Sequence, residues 1–394
     1  MKMKVVAIKS IADVSSGNTP SRRKSEYWNG SIPWITTGEL ESGYVTASKE
    51  CVTEKALKET ALKLYHKGTV LIAMYGQGKT RGTAAVLGIE ATVNQACAAL
   101  TVHSGCSKFL FYQLQNSYHA IRRLSNTGNQ ENLNAEIIKN FKILWPDELE
   151  QQKIATILST QDKVIELKEK LLVQKQQQKK YLMQQLLTGK LRLPDVNGEW
   201  TSVKLKELLI ERNEKNVEQN HRICSVAVSK GVVDQIEHLG RSYAAADTSN
   251  YGVAHYGDII YTKSPTGDFS LGIIKQNRMR ENVAISPLYG IYKPISFSTG
   301  YLLNIYFEST INTKNYLTPI VQKGAKNTIA ISNSAFLENK IFFPMDEATQ
   351  SRIAKIFELT DHEIDLLQKS IKAEKQKKKA LMQLLLTGKV SVRI

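Results

Sequence analysis

Residues 73–83 combine glycines with polar and basic side chains of the types that bind phosphate or the edges of nucleic-acid bases. They read AMYGQGKTRGT, and GKT at 78–80 matches the end of the phosphate-binding motif GxxxxGK[ST]. That motif needs a glycine where this chain has Ala73, and a helix where residues 81–83 read RGT. We therefore interpret the segment as an exposed glycine-rich loop whose candidate contacts are Gln77, Lys79, Thr80 and Arg81.

Basic residues recur in Gly- and Ser-rich stretches of both halves of the chain. One such cluster is more often solvated surface than a binding site, but the recurrence favours contact with a polyanion. A net charge of +16 and an isoelectric point near 9.4 favour nucleic acid first and an anionic membrane second. The clusters are 22–24, Lys79 with Arg81, 122–123, Lys263, and 278 with 280.

Patterns typical of a self-contained active site are missing from the sequence. The seven histidines lack metal-ligand spacing, and there is no HExxH, GxGxxG or nucleophile elbow. The four cysteines lack CxxC spacing and indicate reduced thiols rather than a disulfide frame or a zinc site. We therefore predict neither catalysis nor a metal centre in this chain.

Length and composition favour two or three folded domains. The chain has 394 residues, of which 42% are apolar, enough to supply real cores. It contains no run of 18 apolar residues, and residues 1–5 lack the apolar stretch of a signal peptide. We predict a cytoplasmic protein that does not enter a membrane.

The chain repeats itself at an offset of 199 residues. Residues 151–190 align with 350–389 without a gap, and nineteen of the forty positions are identical. Solenoid repeats have periods of about 20–50 residues, so this is a duplicated half-protein. It predicts pseudo-twofold symmetry within one chain.

The repeated segments have the pattern of long amphipathic helices. Residues 148–187 lack Gly and Pro, and their apolar residues lie three, four or about seven apart, as they do in 347–386. Such a helix is about 60 Å long at 1.5 Å per residue. Gly189 and Gly388 are placed to end the helices in a left-handed conformation. Since neither helix can bury its stripe alone, we predict an antiparallel coiled-coil pair.

These patterns predict an α+β (mixed α/β) fold with an internal pseudo-twofold duplication. Two globular domains, 1–147 and 191–343, are joined by two long helices, 148–190 and 344–394. A rigid helix pair would fix the spacing between the two domains. The strand predictions are 70–73, 84–87, 141–144, 258–262 and 340–343, and residues 200–205 echo the opening of the chain.

The chain resembles the specificity subunits of type I restriction–modification systems over nearly its whole length. The resemblance rests on IPWITTGEL at 32–40, MYGQGKT at 74–80, VNQACAA at 93–99, GDIIYTKSP at 257–265 and SPLY at 286–289. The helix starts at 150–154 and 349–353 and both LLTGK ends also fit, although Thr349 stands where the family often has Glu.

The resemblance implies two target-recognition domains, each reading half of a split site in double-stranded DNA. It further implies that two methyltransferase subunits dock on the helices and that restriction/translocase subunits join them. The chain would then catalyse nothing and bind no cofactor, while its partners use S-adenosylmethionine, ATP and Mg. No membrane is involved in this interpretation.

Further candidate site residues come from the family motifs, from the neighbouring loop and from the basic clusters. For DNA these are Asn94 and Gln95 in the first half, and Lys263, Ser264, Thr266 and Arg278 in the second. For partner subunits they are Gln151, Ile154, Lys179, Lys180, Gln350, Ile353, Lys378 and Lys379. Three alternatives stay open: a non-DNA helical scaffold that recruits two partner copies, a degenerate phosphate-loop ATPase, and the recognition module of a modification-only or related system.

Overall fold

The computed structural model describes residues 4–125, 132–194, 198–241, 244–323 and 329–392. The outer ends of the predicted segments, residues 1 and 394, lie outside these ranges. The chain divides into two compact units, and both divisions fall inside long helices. Unit 1 comprises Met1–Lys170 with Lys369–Ile394, and unit 2 is Leu171–Gln368.

Three sheets form the globular part of unit 1. The first strand pairs antiparallel with the last, and the others form a five-stranded sheet of order β2-β9-β6-β7-β4 and a three-stranded sheet of order β5-β3-β8. Their bounds are β1 (Lys4–Ala7), β2 (Ala12–Ser16), β3 (Trp28–Ile35), β4 (Tyr44–Val45), β5 (Glu50–Val52), β6 (Val70–Ala73), β7 (Ala84–Leu87), β8 (Thr92–Val93), β9 (Cys97–Val102) and β10 (Lys142–Trp145).

Short helices pack on the three-stranded and five-stranded sheets, and a long helix follows β10. They are α1 (Glu54–Glu59), α2 (Ser107–Asn116), α3 (Tyr118–Arg123), α4 (Ala135–Asn140) and α5 (Glu148–Leu186), with 3-10 turns at Ile8–Ser10, Ser25–Tyr27 and Thr37–Ser42. The largest core cluster of this unit joins the sheet, α2 and the start of α5 to Leu385 and Leu386.

Unit 2 repeats the frame of unit 1, by which we mean the pairing of the first strand with the last and the long helix that follows, but its other sheets differ. Its first strand again pairs antiparallel with the last, and the rest form sheets of order β12-β19-β16-β17, β14-β13-β18-β15 and β20-β21. The strands are β11 (Trp200–Lys204), β12 (Leu209–Glu211), β13 (Arg222–Ala227), β14 (Gly231–Asp234), β15 (Gly252–Ala254), β16 (Ile259–Tyr261), β17 (Ile274–Gln276), β18 (Val283–Ile285), β19 (Gly290–Pro294), β20 (Gln322–Lys323), β21 (Ile329–Ala330) and β22 (Lys340–Pro344).

The second long helix follows β22 as α5 follows β10. The helices of this unit are α6 (Gln235–Leu239), α7 (Phe297–Phe307), α8 (Thr310–Leu317), α9 (Asn333–Glu338) and α10 (Glu347–Leu385), with 3-10 turns at Leu205–Glu207 and Thr318–Ile320. Its main core cluster includes Leu186 and Leu187 at the end of α5 and Ile353 and Phe357 near the start of α10.

Each unit therefore contains the first half of one long helix and the last half of the other, and within each unit the halves run antiparallel. In unit 1, Asp162 contacts Lys378 at 2.6 Å and Lys168 contacts Ser370 at 2.8 Å. Residue numbers therefore rise along one helix as they fall along the other. In unit 2, the contacts are Lys175 with Glu363 and Lys179 with Asp361, both at 2.7 Å. The predicted fold class and the antiparallel helices are confirmed.

The helix ends confirm the role predicted for the repeated glycines. Gly189 and Gly388 have φ of 68° and 72°, which an L side chain adopts only with strain. The Gly189 amide donates to Leu186 O at 3.3 Å, and the equivalent Gly388 amide donates to Leu385 O at 3.4 Å. Both helices thus end by the left-handed capping that the sequence predicts.

Candidate nucleic-acid interface

The glycine-rich segment of unit 1 is a tight loop between β6 and β7. Gly76, Gly78 and Gly82 have φ of 138°, 59° and 85°, so the path of the loop depends on glycine. At its base, the Gly82 amide donates to Ala73 O at 2.8 Å, and the Ala73 amide donates to Thr83 O at 2.9 Å. Strand β7 follows the loop where a phosphate-binding loop would have a helix, as the sequence analysis predicts.

Two side chains of α3 hold the backbone of this loop. The Tyr118 hydroxyl donates to Lys79 O at 2.7 Å, and the Arg122 guanidinium donates to Arg81 O at 2.7 Å. Arg122 also lies 3.2 Å from the Tyr118 hydroxyl, and a Cβ added at Gly82 would lie 3.0 Å from the Arg122 side chain. We call Tyr118 and Arg122 the loop clamp, because together they fix two consecutive turns of the loop.

The loop presents some of the predicted contact residues and encloses another. Gln77 and Lys79 are exposed, and Thr80 is half-buried. Arg81, predicted to be offered by the loop, is only 8% exposed. It is buried because it begins the turn that leads into the strand β7, whose residues are all buried.

Asn94 and Gln95 lie in the turn between β8 and β9, beside the segment after β2. Gln95 is exposed and accepts a hydrogen bond from the Thr19 hydroxyl, whereas Asn94 is half-buried. Nearby in sequence, the Arg22 guanidinium lies 3.7 Å from the Trp28 ring centroid and pairs with both carboxylate oxygens of Glu50. The hydrogen bond to Glu50 raises the pKa of Arg22. This basic cluster is therefore largely engaged within its own unit.

The candidate residues of unit 2 lie in and after the loop between β16 and β17. Lys263 has a φ of 57°, and a Cβ added at Gly272 would lie 2.9 Å from the Lys263 amide, so glycine is required there. Ser264 is exposed and Thr266 is half-buried. Burial lowers the pKa of the half-buried Lys263 ammonium. Arg278 is exposed at a separate place, with its guanidinium 5.0 Å from the Tyr301 ring centroid.

Four of the eight residues predicted to bind partners lie in the interior of their units. Gln151 Oε1 accepts from the Cys106 amide at 2.8 Å, and its Nε2 donates to Pro146 O at 2.7 Å. Gln350 accepts from the Thr299 hydroxyl at 2.6 Å and donates to Pro344 O at 2.8 Å. Ile154 and Ile353 are fully buried core residues. All four tie a long helix to its own globular part.

Lys378 and Lys179 take part in two equivalent side-chain triads. In unit 1, Tyr112 donates to Asp162 at 2.7 Å, and Lys378 pairs with the same carboxylate at 2.6 Å. In unit 2, Tyr301 donates to Asp361 at 2.7 Å, and Lys179 pairs with it at 2.7 Å. Burial and these carboxylates raise the pKa of both tyrosines. Lys180 and Lys379, the remaining two candidates, are exposed.

The Lys179 triad contains one further acid. Glu308 also accepts from Lys179, at 2.7 Å, and lies 3.9 Å from Lys275. Burial opposes the charge on Lys179, but Glu308 and Asp361 outweigh it, so the pKa of this ammonium is raised. The pKa of the buried Lys275 is lowered, chiefly by burial.

The triads and the loop clamp were not among the sites predicted from the sequence. The aspartates and lysines of the triads are among the positions repeated at the offset of 199, and that signal could have found them. Nothing in the sequence pairs Tyr118 or Arg122 with the loop, since they follow it by about forty residues.

The residues that the structure describes contain neither a metal-binding cluster nor a membrane-spanning helix. Among them, no group of three or more His, Cys, Asp or Glu side chains is arranged to hold a metal ion. None of the helices in the described ranges has the length and apolar character needed to cross a membrane.

Comparison with known proteins gives a family match for the N-terminal part of the chain. Residues 1–175 match the family model described as the type I restriction modification DNA specificity domain. The family resemblance predicted from the motifs is thus confirmed.

Curated relatives of this specificity domain carry the same description. The chain is 35% identical over 172 residues to the specificity subunit of the type I restriction enzyme MjaIX from Methanocaldococcus jannaschii. It is 29% identical over 151 residues to the EcoR124I/EcoR124II specificity subunit from Escherichia coli. These alignments cover 42% and 37% of this chain, and 39% and 37% of the relatives' own lengths.

Solved structures extend the likeness of fold beyond the specificity domain. The type I restriction-modification S subunit from M. genitalium matches with a TM-score of 0.62 at 15% identity, covering 98% of this chain and 96% of that one. The HsdS subunit from Thermoanaerobacter tengcongensis matches with a TM-score of 0.51 at 14% identity, covering 98% and 97%. At such identities the likeness concerns the fold alone.

Proposed function

We propose that the chain is the DNA-binding specificity subunit of a type I restriction–modification complex. Its two globular segments, 1–147 and 191–343, are target-recognition domains that each read one part of a bipartite site. The observation that carries this proposal is the repeated frame bearing two unlike polar loops, 74–83 and 263–269. Because the loops differ in sequence and backbone, the two half-sites differ as well.

Affinity and sequence preference come from different side chains in this proposal. Exposed lysines such as Lys79 neutralise phosphates, so affinity falls steeply as salt rises. Gln77 and Gln95 are exposed and have the amide geometry that pairs with adenine, and each good base contact contributes about 1–3 kcal/mol of discrimination. The loop clamp fixes the backbone of the loop that carries Gln77 and Lys79.

The repeated long helices provide two equivalent docking surfaces for two methyltransferase subunits. Leu167 and Leu366 occupy positions 199 residues apart and are 53% and 51% exposed. Lys180 and Lys379 are likewise equivalent and exposed. Each long helix exposes one leucine and one lysine at equivalent positions. Two copies of one partner could therefore each contact the same pair of side-chain types.

The chemistry is assigned to the partners in this proposal. Methyltransferase subunits use S-adenosylmethionine, restriction/translocase subunits use ATP and Mg, and this chain binds no cofactor and catalyses nothing. The chain acts in the cytoplasm, where the host DNA lies.

The test is to sequence methylated adenines in DNA from cells that make the protein and from cells lacking its gene. We expect one bipartite motif to lose methylation on both strands when the gene is removed. Restoring the gene with Gln77→Ala and Lys79→Ala should reduce methylation with relaxed preference in one half of the motif only. Unchanged methylation after removal of the gene would refute the proposal.

A further inference from the structure

Unit 1 contains an open cleft of about 650 Å³ beside the loop clamp. It is bounded by the turn before β7, by α2 and α3, and by the last half of α10. Its charged and titratable lining residues are Glu41, His119, Lys375, Lys378 and Lys379, and Met382 and Tyr118 add apolar surface. We call this space the lysine cleft.

Part of the positive charge of the lysine cleft is already balanced. Lys375 pairs with Glu169 at 2.7 Å, and Lys378 pairs with Asp162 at 2.6 Å. Lys379 is exposed and forms no hydrogen bond or ion pair with the residues that the structure describes. Glu41 is the one acid among the described lining residues. The cleft therefore keeps room for a carboxylate beside Lys379, the lining lysine that pairs with no acid of the described residues.

The equivalent triad of unit 2 shows which chemical group can pair with the lysine. Seven residues after Tyr301 of its triad stands Glu308, which accepts from Lys179 at 2.7 Å. In unit 1, His119 stands seven residues after the equivalent Tyr112, but it lies in α3 rather than at the end of α2, and it lines the cleft together with Lys378. Lys378 lies 3.5 Å from the amide oxygen of Gln115. Among the described residues, Asp162 is the one acid that pairs with Lys378, whereas Lys179 pairs with both Asp361 and Glu308.

We propose that the lysine cleft binds an acidic side chain of a protein partner, which takes the place that Glu308 fills in unit 2. The ligand is a carboxylate on a peptide segment, because the equivalent group of unit 2 is a carboxylate and because Met382 and Tyr118 offer apolar surface to the flanking chain. Unit 2 requires no carboxylate from a partner, because its own Glu308 pairs with Lys179. This inference is independent of DNA reading, and its test contains no methylation step.

The probe is a fluorescein-labelled octaglutamate peptide, titrated with the full chain and followed by fluorescence anisotropy. His119→Glu adds an acid to the cleft from within the chain, so it should weaken peptide binding about fivefold relative to wild type, the effect of one exposed ion pair. His119→Gln is the matched neutral control and should bind the peptide as wild type does. The thermal unfolding midpoint of each variant checks that the unit stays folded.

A second pair of variants tests the lysines directly. Lys379→Glu reverses a charge that lines the cleft, whereas Lys377→Glu reverses an exposed charge on another face of the same helix. We expect about a tenfold loss for Lys379→Glu and no more than about a twofold loss for Lys377→Glu, because contact charges act more strongly than distant ones.

Three results would overturn the inference. The first is no difference between His119→Glu and His119→Gln, and the second is an equal loss in both lysine variants. The third is that duplex DNA displaces the peptide and loses affinity for Lys379→Glu to the same extent, which would make the cleft a phosphate surface. Failure of the DNA-reading proposal would leave the outcomes of this peptide titration unaffected.

Discussion

The two units hold a long helix in the same way but differ in how many carboxylates neutralise the equivalent lysine, Lys378 in unit 1 and Lys179 in unit 2. In unit 1, Lys378 faces one carboxylate, Asp162, next to an open cleft. In unit 2, Lys179 faces two carboxylates, Asp361 and Glu308, in a more enclosed setting. The shared aspartate and lysine join helix to helix, whereas the shared tyrosine and the divergent Glu308 come from the globular part. Duplication thus preserved the helix contacts while the attached domains changed.

The largest expected effect comes from breaking the two lysine contacts. Lys179→Met leaves two carboxylates without their ammonium and should destabilise the protein by about 3 kcal/mol, whereas Lys378→Met should cost about 1–2 kcal/mol. Both side chains are well covered, at 15% and 19% exposure. Urea unfolding of the full chain measures both, with the exposed Lys377→Met as control. Equal losses would contradict the contrast between the units.

The buried glutamines should behave alike in the two units. Gln151→Met and Gln350→Met each remove the donor to a proline carbonyl and the acceptor of a second bond. Leaving such buried groups unsatisfied costs about 2 kcal/mol. We expect shifts of similar size in the urea midpoint for the two variants. A lower urea midpoint for only one of the two variants would show that the two glutamines do not stabilise their units equally.

Under the proposed function, the loop clamp should affect only the first half-site. Tyr118→Phe removes the hydroxyl that donates to Lys79 O, a contact worth about 1 kcal/mol, or about fivefold in discrimination. Methylation of DNA with single changes in each half-site measures the effect. Tyr181→Phe, at an exposed position on α5, is the control. Loss of preference in both half-sites would mean that the clamp acts on folding rather than on reading.

The smallest effect concerns a pH-dependent contact of unit 2. Hydrogen bonds from Lys204 and Lys206 lower the pKa of the Glu338 carboxyl to about 2. A lowered pKa stabilises the fold at pH values above the ordinary range of the group, and this contribution is lost as the pH falls towards 2. Wild type should therefore exceed Glu338→Gln in thermal midpoint at neutral pH, and the gap should close on acidification. A gap that persists at low pH would exclude this ion pair as its cause.

Sequence patterns located the regular elements well because burial sets their period. Strands β6 and β7 have the predicted bounds, Val70–Ala73 and Ala84–Leu87, since each is a fully buried apolar run between turns. The strand predicted at 141–144 is Lys142–Trp145, one residue later, because Phe141 ends α4 as its cap. Both long helices also follow from periodicity and from their terminal glycines.

Side-chain roles within the candidate sites could be predicted only in part. Polarity alone gave no means to distinguish the exposed Lys79 from the buried Arg81, two residues apart in one loop. Gln151 and Gln350 have the appearance of surface residues in a polar helix start, yet each bonds a proline carbonyl in the interior. Such outcomes depend on partners far away in sequence, which local composition does not record.

The discontinuous make-up of unit 1 has a consequence for synthesis on the ribosome. Its core includes Leu385 and Leu386, and the Gln113 amide donates to Leu386 O at 3.0 Å. Unit 2 is a continuous stretch of chain, whereas unit 1 must wait for residues that are made after all of unit 2. The nascent N-terminal portion is therefore expected to expose apolar surface until residues 385 and 386 have been made. A chain released before them would carry an incomplete first unit.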